Sequence, residues 1–289
     1  MLQSMTGYGK AQADFNDKTI TVEIRSLNSK GIDASLRMPN IYREKEIELR
    51  NELSKLFERG KIDVTINVDY RSEQATTQIN TALAQAYHTQ LKDLAKKLNQ
   101  SDENLLELVM RMPDVMKSAT STLNETEYKQ FYDTFKKAVE NAISFRKTEG
   151  AALLAEFEKR VGLLLSYLEK IESLDAARIE KIKTRIKNNL AEFIPEDKID
   201  KNRFEQELIY YIEKIDITEE KTRLKTHTKH FIDTAKEPAS GRKLNFIAQE
   251  MGREVNTIGS KANDAEIQKL VVLMKDEVEK IKEQTLNVL

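Results

Sequence analysis

The chain carries three histidines, and two of them, His227 and His230, follow the acidic run Asp216-Ile217-Thr218-Glu219-Glu220. The third, His88, lies in an ordinary helical stretch. If residues 218–235 form a helix, Ile217, Leu224, Thr228 and Phe231 make its buried stripe, and Glu220 and His227 fall about 40° to 60° to one side. Arg223 lies a little further round on that side. The next helical pattern has its stripe at Leu244, Ile247, Ala248, Met251, Val255 and Ile258. Glu250 and Glu254, one turn apart, lie about 60° to 100° from that stripe. Both flanks run along the border between core and solvent, where partial desolvation strengthens charge interactions.

Two carboxylates and an imidazole on neighbouring helices suit a divalent cation, with Glu220 as a fourth ligand. Oxygen-rich ligation with one nitrogen points to Mn²⁺ or Mg²⁺ rather than a structural zinc. The same residues also admit plainer readings. Glu220 with Arg223, and Glu250 with Arg253, read equally as ion pairs, and Asp216 or Thr218 as a helix cap. A third reading makes His227 and His230 the acid and base of a metal-free RNA cleavage. Their helical positions diverge by about 60°, which disfavours that pairing.

The elements that must position these residues follow from composition and pattern. The chain has 289 residues, of which 39% are hydrophobic and 33% charged, with 9 Gly and 4 Pro. That balance favours long solvated helices beside a small sheet. Cysteine is absent, which excludes disulfides, thiolate zinc sites and cysteine nucleophiles and fits a reducing compartment. The polar, glycine-broken start at residues 1–9 predicts no secretion signal, and no run of eighteen apolar residues predicts a membrane span. A cytoplasmic, soluble protein is expected. The formal charge of −1 gives no global attraction to nucleic acid. Phosphate binding must therefore come from local clusters, or from rings of them in an oligomer.

Alternation of Ile20, Val22 and Ile24, and of Ile62, Val64, Ile66 and Val68, predicts strands over 19–27 and 61–70. Between them, residues 42–57 carry helical spacing, and Arg59-Gly60-Lys61 supplies the stop and turn. Residues 1–71 thus read as a small α/β domain with a short sheet, and the polar stretch Ser72 to Asn80 as a linker. Residues 72–215 read as a helical region, with helices over 82–98, 103–110, 126–149 and 151–174 and long exposed arms at 125–195. Residues 216–289 form a helical C-terminal domain carrying the charged cluster. Its last helix is expected to begin with a capping box of Asn263 and Glu266. The seam Ile267, Leu270, Met274, Val278 and Ile281 is read as leaning toward a partner subunit. The fold class is α+β, predominantly helical.

Two blocks carry a family resemblance. The first is Ser4-Met5-Thr6-Gly7-Tyr8-Gly9, then Val22-Glu23-Ile24-Arg25-Ser26-Leu27-Asn28-Ser29-Lys30, Arg37, Pro39 and Arg59-Gly60-Lys61. The second is Asp216 to Glu220 with Arg223 and His227, then Gly241-Arg242-Lys243-Leu244-Asn245-Phe246 and the run from Gln249 to Lys261. In order and separation the chain resembles the YicC/YloC family of bacterial proteins. It departs from the family pattern at Asn245, where Asp is common, and at Gly252.

The resemblance implies a homohexameric, divalent-metal-dependent endoribonuclease of the cytoplasm, acting on RNA without a membrane. Its motifs make His227, Glu250, Glu254 and Glu220 the metal and catalytic candidates and Arg223, Arg253 and Lys261 the RNA-binding ones. Arg25 and Lys30, near a strand end in the first block, are read either as RNA contacts or as structural residues, and Gly7 and Gly9 as a bulge or a close backbone approach. The competing reading is a non-catalytic RNA-binding adaptor that delivers RNA to another nuclease.

Overall fold

The computed structural model describes residues 2–29, 31–71, 77–101, 103–118, 124–193 and 200–289. Strands β1 (Gly7–Phe15), β2 (Lys18–Leu27), β3 (Ile32–Arg37) and β4 (Gly60–Tyr70) form one sheet in the order β1-β2-β4-β3. The β1–β2 and β2–β4 pairs are antiparallel, and β3 runs parallel to β4. The crossover between β3 and β4 is a short 3₁₀ turn at Asn40–Lys45 followed by helix α1 (Glu46–Leu56). The period-two pattern puts Ile20, Val22, Ile24, Ile62, Val64 and Ile66 on one buried face. Strand β3 alternates Ile32, Ala34 and Leu36 with polar residues, but it is a six-residue edge strand in which Ala34 alone is buried, too short and too exposed a run to stand out beside the expected strands at 19–27 and 61–70.

Helix α2 (Thr81–Lys97) and the short α3 (Leu105–Met110) follow, with β5 (Thr77–Ile79) pairing antiparallel to β6 (Met116–Ser118). This two-stranded ladder sits where only helices were expected. Of the expected linker 72–80, residues 72–76 lie outside the described residues; its end is β5.

Helix α4 (Glu125–Phe193) runs 69 residues without a break, which corrects the expectation of two helices divided at Gly150. Glycine stands there because a Cβ would come within 2.2 Å of the Leu2 carbonyl oxygen. Its role is close approach of the N-terminal backbone, not helix termination. Gly9 does the same on β1, where a Cβ would meet the Ala138 carbonyl oxygen of α4 at 2.1 Å. The close-approach reading of the N-terminal glycines therefore holds for this residue.

Two cores share α4. Its first half lays Phe131, Phe135, Ala138 and Ala142 against the sheet and α1. Its middle lays Phe157, Leu164, Leu168 and Ile171 against α6 (Thr218–Ala235), α7 (Gly241–Ala262) and α8 (Ala265–Thr285). Each of the Phe, Leu and Ile side chains among these, once fully buried, contributes about 1.5–3 kcal/mol. The chain ends meet beside α4: Ser4 bridges to Val288, and the Met5 amide donates to the Asn287 carbonyl at 2.8 Å. Beyond these cores the end of α4 and helix α5 (Lys201–Ile215) line a common groove.

The seam on α8 closes on its own chain. Ile267, Met274, Val278 and Ile281 are buried against α7 and α4, so they present nothing to a partner. The helix start also differs from the expected capping box. Asn263 adopts the left-handed conformation (φ 42°) and ends α7, while Asp264 accepts the amides of Glu266 and Ile267. A short polar side chain tolerates that φ, leaving the next residue to cap. Among the described residues no helix is long and apolar enough to cross a membrane.

Candidate active site

Helices α6 and α7 lie side by side in the C-terminal core because each buries the stripe its 3.6-residue period prescribes. Ile217, Leu224 and Phe231 are fully buried on the first, as are Leu244, Ala248, Met251, Val255 and Ile258 on the second. The helical-wheel placement of the charged flanks follows from that packing. Glu220 and Glu254, both over nine-tenths buried, lie at the edge of the shared interface, with Glu250 and His227 half-buried beside them.

These four groups and Arg223 share one electrostatic environment. Burial holds the Glu254 carboxyl above the ordinary glutamate range. Arg223 and His227 oppose that rise through their charge, and Glu220 and Glu250 reinforce it. A desolvated carboxylate prefers its neutral form, and two more carboxylates nearby add repulsion. The structure thus brings His227, Glu220, Glu250 and Glu254 to the same edge of the α6–α7 pair.

Specific partners differ from those spacing suggested. Glu220 pairs across the helices with Lys261, whose Nζ lies 2.6 Å from Oε1, while its Oε2 is buried without a hydrogen-bond partner. Arg223 turns instead to Glu219 one turn back, at 2.5 Å. Arg253 Nη1 stands 2.7 Å from Glu250 Oε1, close enough for an ion pair but without the angle of a hydrogen bond, so that buried oxygen also lacks one. Arg223 and Arg253 keep more than half of their side-chain surface exposed.

By donor type the cluster fits Mn²⁺ or Mg²⁺: three carboxylates and one imidazole, with two buried carboxylate oxygens lacking hydrogen bonds. Convergence is another matter. Among the described residues no three His, Asp or Glu side chains stand close enough to hold one ion. Glu220 faces Lys261 and Glu250 faces Arg253 instead, so ligation by three of them requires those side chains to turn.

The first-block candidates lie elsewhere. Arg25 is exposed on the uncovered face of the sheet and pairs with Glu23 at 2.7 Å. With Arg37 and Asp63 it lines a hollow of about 260 Å³. Lys30 lies outside the described residues.

One network escaped the sequence reading. Arg178 of α4, almost wholly buried, donates to the carbonyl oxygens of Ile215 (2.9 Å) and Ala262 (2.6 Å) and to Asp175 (3.0 Å). Asp175 in turn receives Lys221 Nζ at 2.7 Å. One guanidinium therefore ties the last turns of α5 and α7 to α4, one residue from Lys261, and Asp175 ties down the first turn of α6. A signal existed: Leu164, Leu168, Ile171, Asp175, Arg178 and Ile182 keep the spacing of one buried stripe, with an opposite-charge pair where apolar residues are expected.

Comparison with known proteins agrees with the motifs. Residues 2–155 match the family model described as Endoribonuclease YicC-like, N-terminal region, and residues 171–289 match Endoribonuclease YicC-like, C-terminal. A protein of Clostridioides difficile named probable endoribonuclease YicC is 32% identical over 295 residues, covering 100% of both chains. Its namesake in Haemophilus influenzae is 28% identical over 289 residues, covering 99% of each.

Proposed function

From the premise that the chain belongs to the YicC-like endoribonuclease family, we propose that it is a divalent-metal-dependent endoribonuclease that cuts RNA phosphodiester bonds at the edge of α6 and α7. The observation that carries this reading is the burial of the Glu254 carboxyl at the α6–α7 edge, where the charges of Arg223, His227, Glu220 and Glu250 all act on it. Carboxylates are costly to bury beside one another, and a cation offsets that cost. The reading includes assembly of identical chains, as a hexamer, in the cytoplasm; grouped basic surfaces of several copies would attract RNA despite the near-neutral protomer.

His227, Glu250 and Glu254 would hold Mn²⁺ or Mg²⁺, with Glu220 completing the set. When bound, the cation supplies Lewis-acid polarisation of a phosphoryl oxygen and an easier deprotonation of water. The protein's own groups do the rest. Arg223 and Arg253, permanently charged and exposed, donate paired hydrogen bonds to phosphate oxygens and stabilise the charge that builds during cleavage. Lys261 neutralises Glu220 and limits the negative field that would repel RNA.

The test is cleavage of end-labelled RNA by the purified protein, with and without EDTA, across a series of added metals. Wild type should cut only with metal, and the Glu250→Gln, Glu254→Gln double variant should not cut while remaining folded. Wild-type cleavage rates from that variant would reject the assignment. The absence of three convergent ligands among the described residues favours a second reading, an adaptor that binds RNA without cutting it. It is recognised by salt-sensitive RNA binding with no products under any metal.

A further inference from the structure

Helix α5 has an apolar face, Phe204, Leu208, Tyr211 and Ile215, at the spacing of a buried stripe, yet only Ile215 is buried. Ile186 and Leu190 of α4, facing it, are likewise only partly covered. Between the two helices lies a groove of about 1010 Å³. Arg185 and Asn189 on its rim also line an adjoining hollow of about 620 Å³ with Lys181. The concave surface is therefore elongated along the arm.

Its rim is cationic. Arg185, Arg203 and Lys214 line the groove, and among the described residues none of them has a carboxylate partner, although most other cations of the C-terminal region do. Two acids also line the groove, Asp200, which caps α5 through the Asn202 and Arg203 amides, and Glu207, against the three cations. Aromatic rings lie among these charges: Phe204 and Tyr211 in the floor, and Tyr210 half exposed with Lys214 Nζ 4.4 Å from its ring centre.

We infer that this groove binds single-stranded RNA, with its bases against Phe204, Tyr210 and Tyr211 and its phosphates against Arg185, Arg203 and Lys214. Unpaired cations around exposed rings match a single strand, which offers a π-face at every base and a charge at every phosphate. An apolar protein helix seated there would leave three desolvated cations without partners, at a cost of several kcal/mol per buried charge. Duplex RNA keeps its bases stacked internally and cannot use the rings. Position supports the same assignment: Lys214 lies in the last turn of α5, and α6, which carries Glu220, starts at Thr218. The groove would thus hold substrate leading away from the cutting site. This inference rests on the RNA-cleaving reading for its choice of polymer.

The test is fluorescence anisotropy of a labelled oligoribonucleotide of about a dozen nucleotides, in EDTA so that nothing is cut, over a range of salt. Replacing Arg185, Arg203 and Lys214 together by serine should weaken binding and lower the slope of log affinity against log salt by about two, since each cation lost from a single strand removes about 0.7. Tyr210→Leu should weaken binding about tenfold with the slope unchanged, because stacking releases no counterions. Affinity for a blunt duplex should be unaffected by Tyr210→Leu. Wild-type affinity and slope in both variants would overturn the inference. So would an altered sedimentation coefficient at unchanged RNA affinity, which would assign the groove to a contact between copies. The two readings fail separately. Groove-dependent binding by a wild type that never cuts removes the nuclease and keeps the groove; cleavage by wild type and serine variant at equal rates, with equal affinity, removes the groove and keeps the nuclease.

Discussion

Lys261, at the end of α7, places its ammonium 2.6 Å from the buried carboxylate of Glu220, in the first turn of α6. The pair joins the two helices that carry the acidic cluster, and it satisfies only one oxygen of Glu220. Lys261→Met should leave that carboxylate buried with neither oxygen paired. The expected loss is about 1–3 kcal/mol in urea unfolding. Lys261→Arg should recover most of it. Unchanged stability in the methionine variant would mean that solvent already supports Glu220.

Arg178 holds the last turns of α5 and α7 on α4. Removing it leaves the buried Asp175 with Lys221 alone and takes the guanidinium donor from two carbonyl oxygens, so Arg178→Met should destabilise by about 2–4 kcal/mol. Replacing Asp175 and Arg178 together by Asn and Met should cost less than the sum of the two single changes, because each single change already breaks the contact between them. Denaturant midpoints of the two single variants and the double variant decide this; additive losses would reject the coupling.

Glu254 predicts a pH dependence whose sign follows from burial. Its folded carboxyl holds its proton above the unfolded value of 4.5. As pH rises through that value the unfolded chain ionises first, so stability falls until Glu254 itself ionises, and the penalty then stays constant. In EDTA, Glu254→Gln should match wild type near pH 4 and melt higher than wild type at neutral pH. Adding Mn²⁺ at neutral pH should raise the wild-type melting temperature and leave that of the variant nearly unchanged, because a ligand bound to the native state alone stabilises it. A parallel shift in both proteins would remove Glu254 from the metal site.

Two glycines of α4 should respond oppositely to alanine. At Gly150 the added methyl would meet the Leu2 carbonyl at 2.2 Å, so Gly150→Ala should cost about 1–3 kcal/mol by forcing the N-terminal backbone off the helix. At Gly162 nothing lies within 4 Å, and the helical backbone suits alanine. Gly162→Ala should therefore gain about 0.5–1 kcal/mol. Thermal melts of the two variants that moved in the same direction would contradict the packing described.

Much of this protein is local and was readable as such. The α+β class, strands β2 and β4, and the stripes of α6 and α7 follow from periods of two and 3.6 residues, which report each element's own buried face. Those periods also put Glu220, His227, Glu250 and Glu254 on helix flanks, and the motif blocks identified their family. Contacts between elements were decided only in three dimensions. Gly150 looks like a helix stop until Leu2 is seen lying across it, and the α8 seam looks exported until α7 and α4 cover it. Lys261 rather than Arg223 neutralises Glu220, and Arg178 bonds to carbonyls 37 and 84 residues away. Periodicity states which way a side chain faces along its own axis; which neighbour it meets depends on how separate elements pack, and that is a property of the assembled core.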